Sequence, residues 1–281
     1  MSVLTDQFTE NETEIRPHWS YSSINEYMLC PLKYYFHRVA KYAPEKTSVN
    51  MILGKALHAV YAYILSLIFD GNSWSININD METFFINTFG SLLDEKIHYS
   101  KGSSYEDVIQ QGKQYCQTII DYLTVTKSFI YGQEELWIER DFTVPLIDED
   151  GNILELPLTG IFDSVIIDHD KLLVQIIDFK TSASQYPDWK TYRNLQMIIY
   201  TYAMQQLLGK EYRIAFRWEV LLKQKNASIV EYDYLCNEQD IKYMIKTIQH
   251  IAAAIARQIF YPAPSFLCMS CEYHQACNNW F

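Results

Sequence analysis

The stretch that decides the fold is residues 158–200, LTGIFDSVIIDHDKLLVQIIDFKTSASQYPDWKTYRNLQMIIY. Residues 161–167 and 172–179 are two largely apolar runs rich in Ile, Val and Leu, which favour β-strands. The four residues between them, Asp-His-Asp-Lys, are typical of a turn. The sequence therefore predicts a β-hairpin, followed by a helix that begins at Pro187-Asp188 and ends near Gly209.

Three charged side chains lie on the predicted hairpin. Because side chains alternate along a strand, Asp178 and Lys180 share one face of the second strand, while Asp163 lies on the first. Asp178 interrupts an apolar run, where an unpaired carboxylate is unfavourable, so a metal or Lys180 must compensate its charge. Such a group can bind a hard divalent cation and an anionic substrate. A structural ion pair is the alternative.

These motifs resemble those of the PD-(D/E)XK nuclease superfamily. Residues 160–163 (GIFD) are similar to its second motif and residues 178–180 (DFK) to its third. Gln196 and Tyr200 are four apart on a predicted helix and share a face, like the Q-x-x-x-Y element of the RecB-like branch. The resemblance implies an α/β (α+β), restriction-endonuclease-like fold, in which helices flank a mixed β-sheet core.

A further motif lies in residues 51–69 (MILGKALHAVYAYILSLIF), which predict an apolar helix. A single histidine on such a helix is more often a hydrogen-bonded core residue, but GKALH resembles the family's first motif, G-x-x-x-H. The catalytic residues implied by the resemblance are His58, Asp163, Asp178, Lys180, Gln196 and Tyr200. The implied ligands of Mg²⁺ or Mn²⁺ are His58, Asp163, Asp178 and the backbone carbonyl of Phe179.

Three cysteines near the C-terminus, Cys268, Cys271 and Cys277, follow the pattern C-x2-C-x5-C. This spacing suits one metal centre with an open fourth position, for which Cys30 is the candidate. A zinc site remains open from the residues alone, because His274 can complete a Cys3His set. RecB-like nucleases with one N-terminal and three C-terminal cysteines hold a [4Fe–4S] cluster, and the resemblance to them implies such a cluster here.

The chain divides into four predicted parts. These are a disordered leader (1–18), an iron–sulfur module (19–47 with 260–281), a helical region (48–131) and a nuclease core (132–259). The first helix is predicted to begin at Ser23, with Glu26 completing a capping box. Further helices are predicted over 81–97 and, after the cap candidate Asn237, over 238–259. Residues 136–146 and 153–158 predict a second pair of strands around the turn DEDG. Glu139 lies on this pair, where an exposed strand face explains it better than a place in the site.

The net charge of −11 argues against a broad, nonspecific duplex-binding surface. Residues 31–46 nevertheless interleave cations with aromatic residues, as single-strand binders do, although a basic amphipathic helix over a core explains them better. No segment is expected to reach the length of a membrane span, which predicts a cytoplasmic protein.

The predicted function is metal-dependent exonuclease activity on DNA, in particular on single-stranded ends, in repair, recombination or CRISPR adaptation. The sequence contains no G-x-x-x-x-G-K-[ST] loop, so any unwinding must come from a helicase partner, and a CRISPR integration partner is the other expectation. The alternative is a noncatalytic DNA-binding or scaffold subunit stabilised by an iron–sulfur cluster or zinc.

Overall fold

A computed structural model describes residues 17–99, 102–127 and 135–280 of the protein, so most of the predicted leader lies outside the described residues. The strands of the main sheet are β1 (Glu135–Val144), β2 (Leu158–Asp168), β3 (Leu173–Ser182), β4 (Arg213–Leu222) and β5 (Ser228–Tyr234). The helices are α1 (Tyr21–Leu29), α2 (Pro31–Tyr34), α3 (Val49–Phe69), α4 (Ile78–Ser91), α5 (Tyr105–Thr126), α6 (Asp188–Thr191), α7 (Leu195–Leu208), α8 (Glu238–Ala256) and α9 (His274–Asn278).

The five strands form one mixed sheet in the order β1-β2-β3-β4-β5. Strands β3 and β4 are parallel, and the other neighbours are antiparallel. The parallel pair needs a crossover, which α6 and α7 supply. Helices α3, α4 and α5 cover one face of the sheet, and α1, α7 and α8 cover the other. The predicted mixed α/β fold with flanking helices is therefore confirmed.

The hairpin predicted from residues 161–179 is confirmed as β2 and β3, which are paired from Asp168–Leu173 to Ser164–Ile177. Alternation along β3 then sends Ile176 into the core below α7, while Ile177 and Phe179 enter the core below α3. Because both faces of β3 are covered, any polar side chain on it lies in a largely desolvated environment.

The second predicted strand pair is wrong, because its first strand pairs with a different partner. Strand β1 pairs with β2, from Glu135–Ile167 to Val144–Leu158, and of the predicted strand 153–158 only Leu158 belongs to β2. Within the connection, Ile147 and Ile153 form an isolated bridge. The connection contains Pro145 and Pro157, whose nitrogen atoms cannot donate to a ladder. The distant β2 therefore takes the place of the local partner.

The first helix begins two residues earlier than predicted. Ser20 is the N-cap of α1 and forms the capping box with Ser23, whereas the Glu26 carboxylate contacts His37 and Arg38, at 2.9 and 3.0 Å. Pro31 starts α2 instead of kinking a single helix. The residue before a proline avoids the helical region, and Cys30 is accordingly extended.

Two other helices differ from their predicted ranges. The helix predicted over 188–209 is divided into α6 and α7 by residues 192–194, where Arg193 has a φ of 48°. The helix predicted over 81–97 ends at Ser91. Gly209 and Asn237 do occupy the predicted caps of α7 and α8.

Helix α3 is 21 residues long and, by length and composition alone, could cross a membrane. The prediction that no segment approaches such a span is therefore wrong for this helix, because Lys55 is its only Lys, Arg, Asp or Glu. Half of the most apolar stretch of α3 is buried inside the protein. Leu53, Leu57 and Ile64 lie in the core that α3 forms with α4 and α5. An apolar core helix can have the same length and composition as a membrane-spanning helix.

Candidate active site

The candidate site lies where β2 and β3 separate. The backbone ladder between these strands ends at Ser164–Ile177, although both strands continue. Beyond that pair, the Phe179 amide donates to Oδ2 of Asp163, at 2.9 Å. A carboxylate that accepts a backbone amide is held in a fixed orientation. The second and third sequence motifs thus meet at the open end of the hairpin.

Three side chains from three elements, α3, β1 and β2, lie close together in the site. His58 from α3, Glu139 from β1 and Asp163 each offer a ligand atom, and these atoms all lie within 4.8 Å of one another. Nδ1 of His58 is 3.4 Å from Oδ2 of Asp163. Two carboxylates and an imidazole at such separations suit a divalent cation. The group fits the metal that the sequence motifs imply, with Glu139 in place of Asp178.

Glu139 reaches the group from a distorted position in β1. It stands opposite Asp163 in the β1–β2 register, yet these two residues form no ladder pair, although the positions on either side do. Its φ of 47° lies in the left-handed region, which is unfavourable by about 1–2 kcal/mol for a residue with a side chain. The sequence predicted that Glu139 lies on an exposed strand face, and its side chain is exposed. The prediction missed that Glu139 lies in the site, because strand alternation assumes an extended backbone.

Asp178 is held by side chains from α7 and from its own strand, β3. It is 1% exposed, and its Oδ1 accepts a hydrogen bond from Nε2 of Gln196, at 2.7 Å. Nζ of Lys180 lies 2.6 Å from its Oδ2. Asp178 and Lys180 therefore form a close ion pair, in which the ammonium compensates the charge of the buried carboxylate.

Tyr200 lies on α7 one turn beyond Gln196, as predicted. It is 8% exposed, and its ring packs edge-on against Phe142 and Phe162, with centroids 5.6 and 5.4 Å apart. Burial raises the pKa of its hydroxyl, and the nearby Asp178 charge adds to the rise. The geometry makes Tyr200 a neutral wall of the site.

Burial dominates the electrostatics of the group. It raises the pKa of Asp163 and of Asp178 to about 6, although the Lys180 ammonium opposes the rise. Burial and then Lys180 lower the pKa of His58 to about 4, which keeps the imidazole neutral near pH 7. Partial desolvation beside the site, with the charge of Asp178, also raises the pKa of Glu139, although its side chain is exposed. Poorly solvated carboxylates and a neutral imidazole are the ligand forms that a bound cation stabilises.

A cavity of about 760 Å³ opens onto these residues. One side is formed by site residues, namely Glu139, Asp163, Lys180, Gln196 and Tyr200. Other lining residues lie around the start of α1, namely His18, Ser20, Tyr21 and Ser22. Arg38, which follows α2, also lines the cavity. The site is therefore accessible from outside the protein, and the N-terminal segment borders its entrance.

A family model for the PD-(D/E)XK nuclease superfamily matches residues 18–278. The chain belongs to this superfamily. A search among curated proteins gave no match. Among solved structures, a putative exonuclease from Eubacterium rectale superimposes with a TM-score of 0.51 at 12% identity, covering 99% of this chain and 94% of that one. The structure of SSO0001 matches with a TM-score of 0.36 at 12% identity, covering 92% and 96%.

Membership of the PD-(D/E)XK nuclease superfamily implies DNA as the substrate class and a divalent metal as the cofactor. His58, Glu139 and Asp163 each offer a ligand atom, at separations that suit such an ion. Asp178 is not in this mutually close group. Its role as a ligand, like that of the Phe179 carbonyl, stays a prediction.

The four cysteines that this superfamily member was predicted to use together also meet. Cys30, Cys268, Cys271 and Cys277 line one cavity of about 90 Å³, and all four are free thiols. Burial raises the pKa of the Cys277 thiol, and the other three cysteines add to the rise. His274 lines the same cavity.

Contacts between the two ends of the chain hold this cavity in place. Leu32, Phe36 and Tyr273 form a small buried cluster beside the cysteines. The Leu32 amide donates to the carbonyl of Tyr261, at 3.0 Å, and the Glu45 amide donates to the carbonyl of Glu272, at 2.9 Å. The N-terminal segment beside the active-site entrance is thereby joined to the C-terminal segment.

The aromatic residues of segment 31–46 mostly serve this packing. Phe36 is buried, stacks on Tyr42 at a centroid distance of 5.3 Å, and meets Trp280 edge-on at 5.6 Å. Lys33 pairs with Glu272, at 2.9 Å. These contacts agree with the sequence interpretation of an amphipathic segment over a core, and they occupy faces that a base would need for stacking.

Proposed function

We propose that this protein is a metal-dependent exonuclease that hydrolyses phosphodiester bonds at single-stranded DNA ends. One observation carries the proposal. Where β2 and β3 separate, Asp163 is fixed by the Phe179 amide beside the Asp178–Lys180 ion pair, and the group opens onto a cavity. Buried carboxylates at the end of an apolar hairpin have no structural need to be open to a cavity, whereas phosphodiester hydrolysis requires it.

The metal ligands would be His58, Glu139 and Asp163, with Asp178 and the Phe179 carbonyl on the neighbouring strand. A bound Mg²⁺ or Mn²⁺ supplies Lewis acidity, which polarises a phosphoryl oxygen and lowers the pKa of bound water.

The remaining work falls to three side chains of this protein. The Lys180 ammonium neutralises charge that develops on the phosphate oxygens. Gln196 holds the Asp178 carboxylate through its 2.7 Å hydrogen bond. Tyr200 excludes water from the apolar side of the site.

The size of the cavity supports a strand end as the substrate. Cavities of about 300–1,000 Å³ enclose small ligands, and the 760 Å³ here falls within that range. The start of α1 and Arg38 border the opening of this cavity. Arg38 supplies a phosphate contact at the entrance.

The four cysteines would hold a [4Fe–4S] cluster, as in the RecB-like branch. The four thiols line one cavity, which supports a single shared metal centre. That centre would join residues 19–47 to residues 260–281. Residues 48–131 and 132–259 would be the helical region and the nuclease core.

The protein would act in the cytoplasm, in DNA repair, recombination or CRISPR adaptation, where a helicase or integration partner presents the strand. A labelled oligonucleotide, blocked at its 5′ or its 3′ end and incubated with Mn²⁺, tests the activity and gives its polarity. Asp178→Asn and Lys180→Ala should abolish cleavage, and Asp170→Ala, an exposed control in the turn of the same hairpin, should retain it. Full metal-dependent cleavage by Asp178→Asn contradicts the assignment, and tight binding without cleavage by the unaltered protein favours a scaffold subunit.

A further inference from the structure

Two large aromatic side chains are exposed on the segment that joins β3 to α7. Trp189 is 77% exposed and Tyr192 is 69% exposed. The segment starts after Ser182, two residues past Lys180, and ends at Asn194, two residues before Gln196. Both rings are therefore carried by the link between the two halves of the candidate site.

The base of this segment is anchored. The Tyr186 amide donates to the Tyr232 hydroxyl, at 2.8 Å, and the Tyr186 ring stacks on Tyr232 and meets Trp218 edge-on. Asn194 closes the segment: its Nδ2 donates to the Lys190 carbonyl, at 3.2 Å, and its Oδ1 caps α7. These hydrogen bonds fix both ends of the segment, so its backbone is already ordered. The segment therefore loses little conformational freedom when a ligand binds to the exposed rings.

Two cations, Lys190 and Arg193, lie next to the rings, together with one carboxylate, Asp188. Nζ of Lys190 lies 3.3 Å from the centroid of the Tyr186 ring, and no carboxylate among the described residues pairs with it. Lys180 is near enough to lower the pKa of Lys190, after burial. The Arg193 guanidinium lies 5.4 Å from the Tyr192 ring and 3.5 Å from Asp240. In a chain of net charge −11, this group suits an anionic ligand.

We propose that Trp189 and Tyr192 form a platform on which unpaired bases of a nucleic acid strand stack, while Lys190 contacts its phosphates. Exposed aromatic faces interleaved with cations are the combination that binds single strands, because every base has a face to stack and every linkage has a charge. The platform rests on the proposed nuclease function, since it leads a strand toward Lys180. It replaces segment 31–46, whose rings mostly pack within the protein, as the surface that binds bases.

The test is equilibrium binding of a fluorescein-labelled single-stranded DNA of about 12 nucleotides, a length within single-strand site sizes, measured by anisotropy with Ca²⁺ and no other divalent metal. Trp189→Ala should weaken binding by about 5- to 150-fold, the range for loss of one stacked base. Trp189→Phe, which keeps a ring, should recover most of the affinity. Trp74→Ala is the matched control, because Trp74 is 83% exposed on the turn between α3 and α4.

A strand of abasic sites separates stacking from charge. Wild-type protein and Trp189→Ala should bind the abasic strand equally, and a blunt duplex should also show no difference between them. The platform is overturned if Trp189→Ala binds the normal strand as Trp74→Ala does, or if it loses equal affinity for normal and abasic strands. Either result leaves the nuclease proposal standing as long as the wild-type protein cleaves with Mn²⁺. If the wild-type protein neither binds nor cleaves DNA, both proposals fail.

Discussion

Glu139 and Asp163 face each other across adjacent strands, and their position lacks the ladder pairing found on both sides of it. Like charges directly opposite in a sheet are destabilising, and the positive φ of Glu139 adds strain. A cation between the carboxylates relieves the repulsion, and the free energy of its binding offsets the backbone strain. This relationship makes Glu139 the residue by which the metal proposal is most directly tested.

Glu139→Gln should weaken Mn²⁺ binding by about 10- to 100-fold, as loss of a group that supports a metal site does. The thermal midpoint in EDTA should not fall, because the substitution removes a repulsion. Isothermal titration calorimetry and a melting curve measure the two effects. Glu155→Gln, an exposed control between β1 and β2, should change neither. Unaltered Mn²⁺ affinity in Glu139→Gln removes this residue from the metal site.

Metal binding should weaken below about pH 6. The pKa values of Asp163 and Asp178 are raised to about 6, so both carboxyls are protonated below that pH, whereas His58, with a pKa of about 4, stays neutral through this range. Protons must therefore leave the carboxyls when the ion binds. Calorimetry in buffers of different ionisation enthalpy at pH 6 measures this release. Asp178→Asn should reduce the number of protons released, and a pH-independent Mn²⁺ affinity between pH 5 and 7 contradicts the prediction.

Lys127→Met should destabilise the fold strongly. Nζ of Lys127 lies 2.6 Å from Oε1 of Glu219, and both side chains are buried, so the substitution leaves an uncompensated carboxylate, at a cost of about 3–5 kcal/mol. Urea unfolding measures the loss. Adding Glu219→Gln to Lys127→Met should recover part of it. Lys113→Met, in the partly exposed pair with Glu82, should cost about 1 kcal/mol or less.

Cys277→Ser should remove the visible absorption and most of the iron from anaerobically purified protein, because four thiolates are needed to hold the cluster. Cys116→Ser is the control, since Cys116 lies on α5, on the side that is buried in the helical core. Metal analysis that finds one zinc and no iron in the unaltered protein would contradict the iron–sulfur assignment and favour a zinc site.

Local patterns were enough for the elements closest to the site. Alternation along β3 places Asp178 and Lys180 on one face, and the four-residue interval on α7 places Gln196 and Tyr200 one turn apart. These predictions succeed because the interactions behind them span only a few residues. The capping of α8 by Asn237 succeeds for the same reason.

The sequence by itself determined the hairpin, its charged positions and the thiol pattern, since each depends on neighbours along the chain. Only the tertiary structure decided that β1 pairs with β2, that Glu139 joins His58 and Asp163, and that the exposed rings lie at Trp189 and Tyr192. Strand partners, left-handed backbone positions and exposure are set by packing between elements far apart in sequence. No local periodicity contains that information.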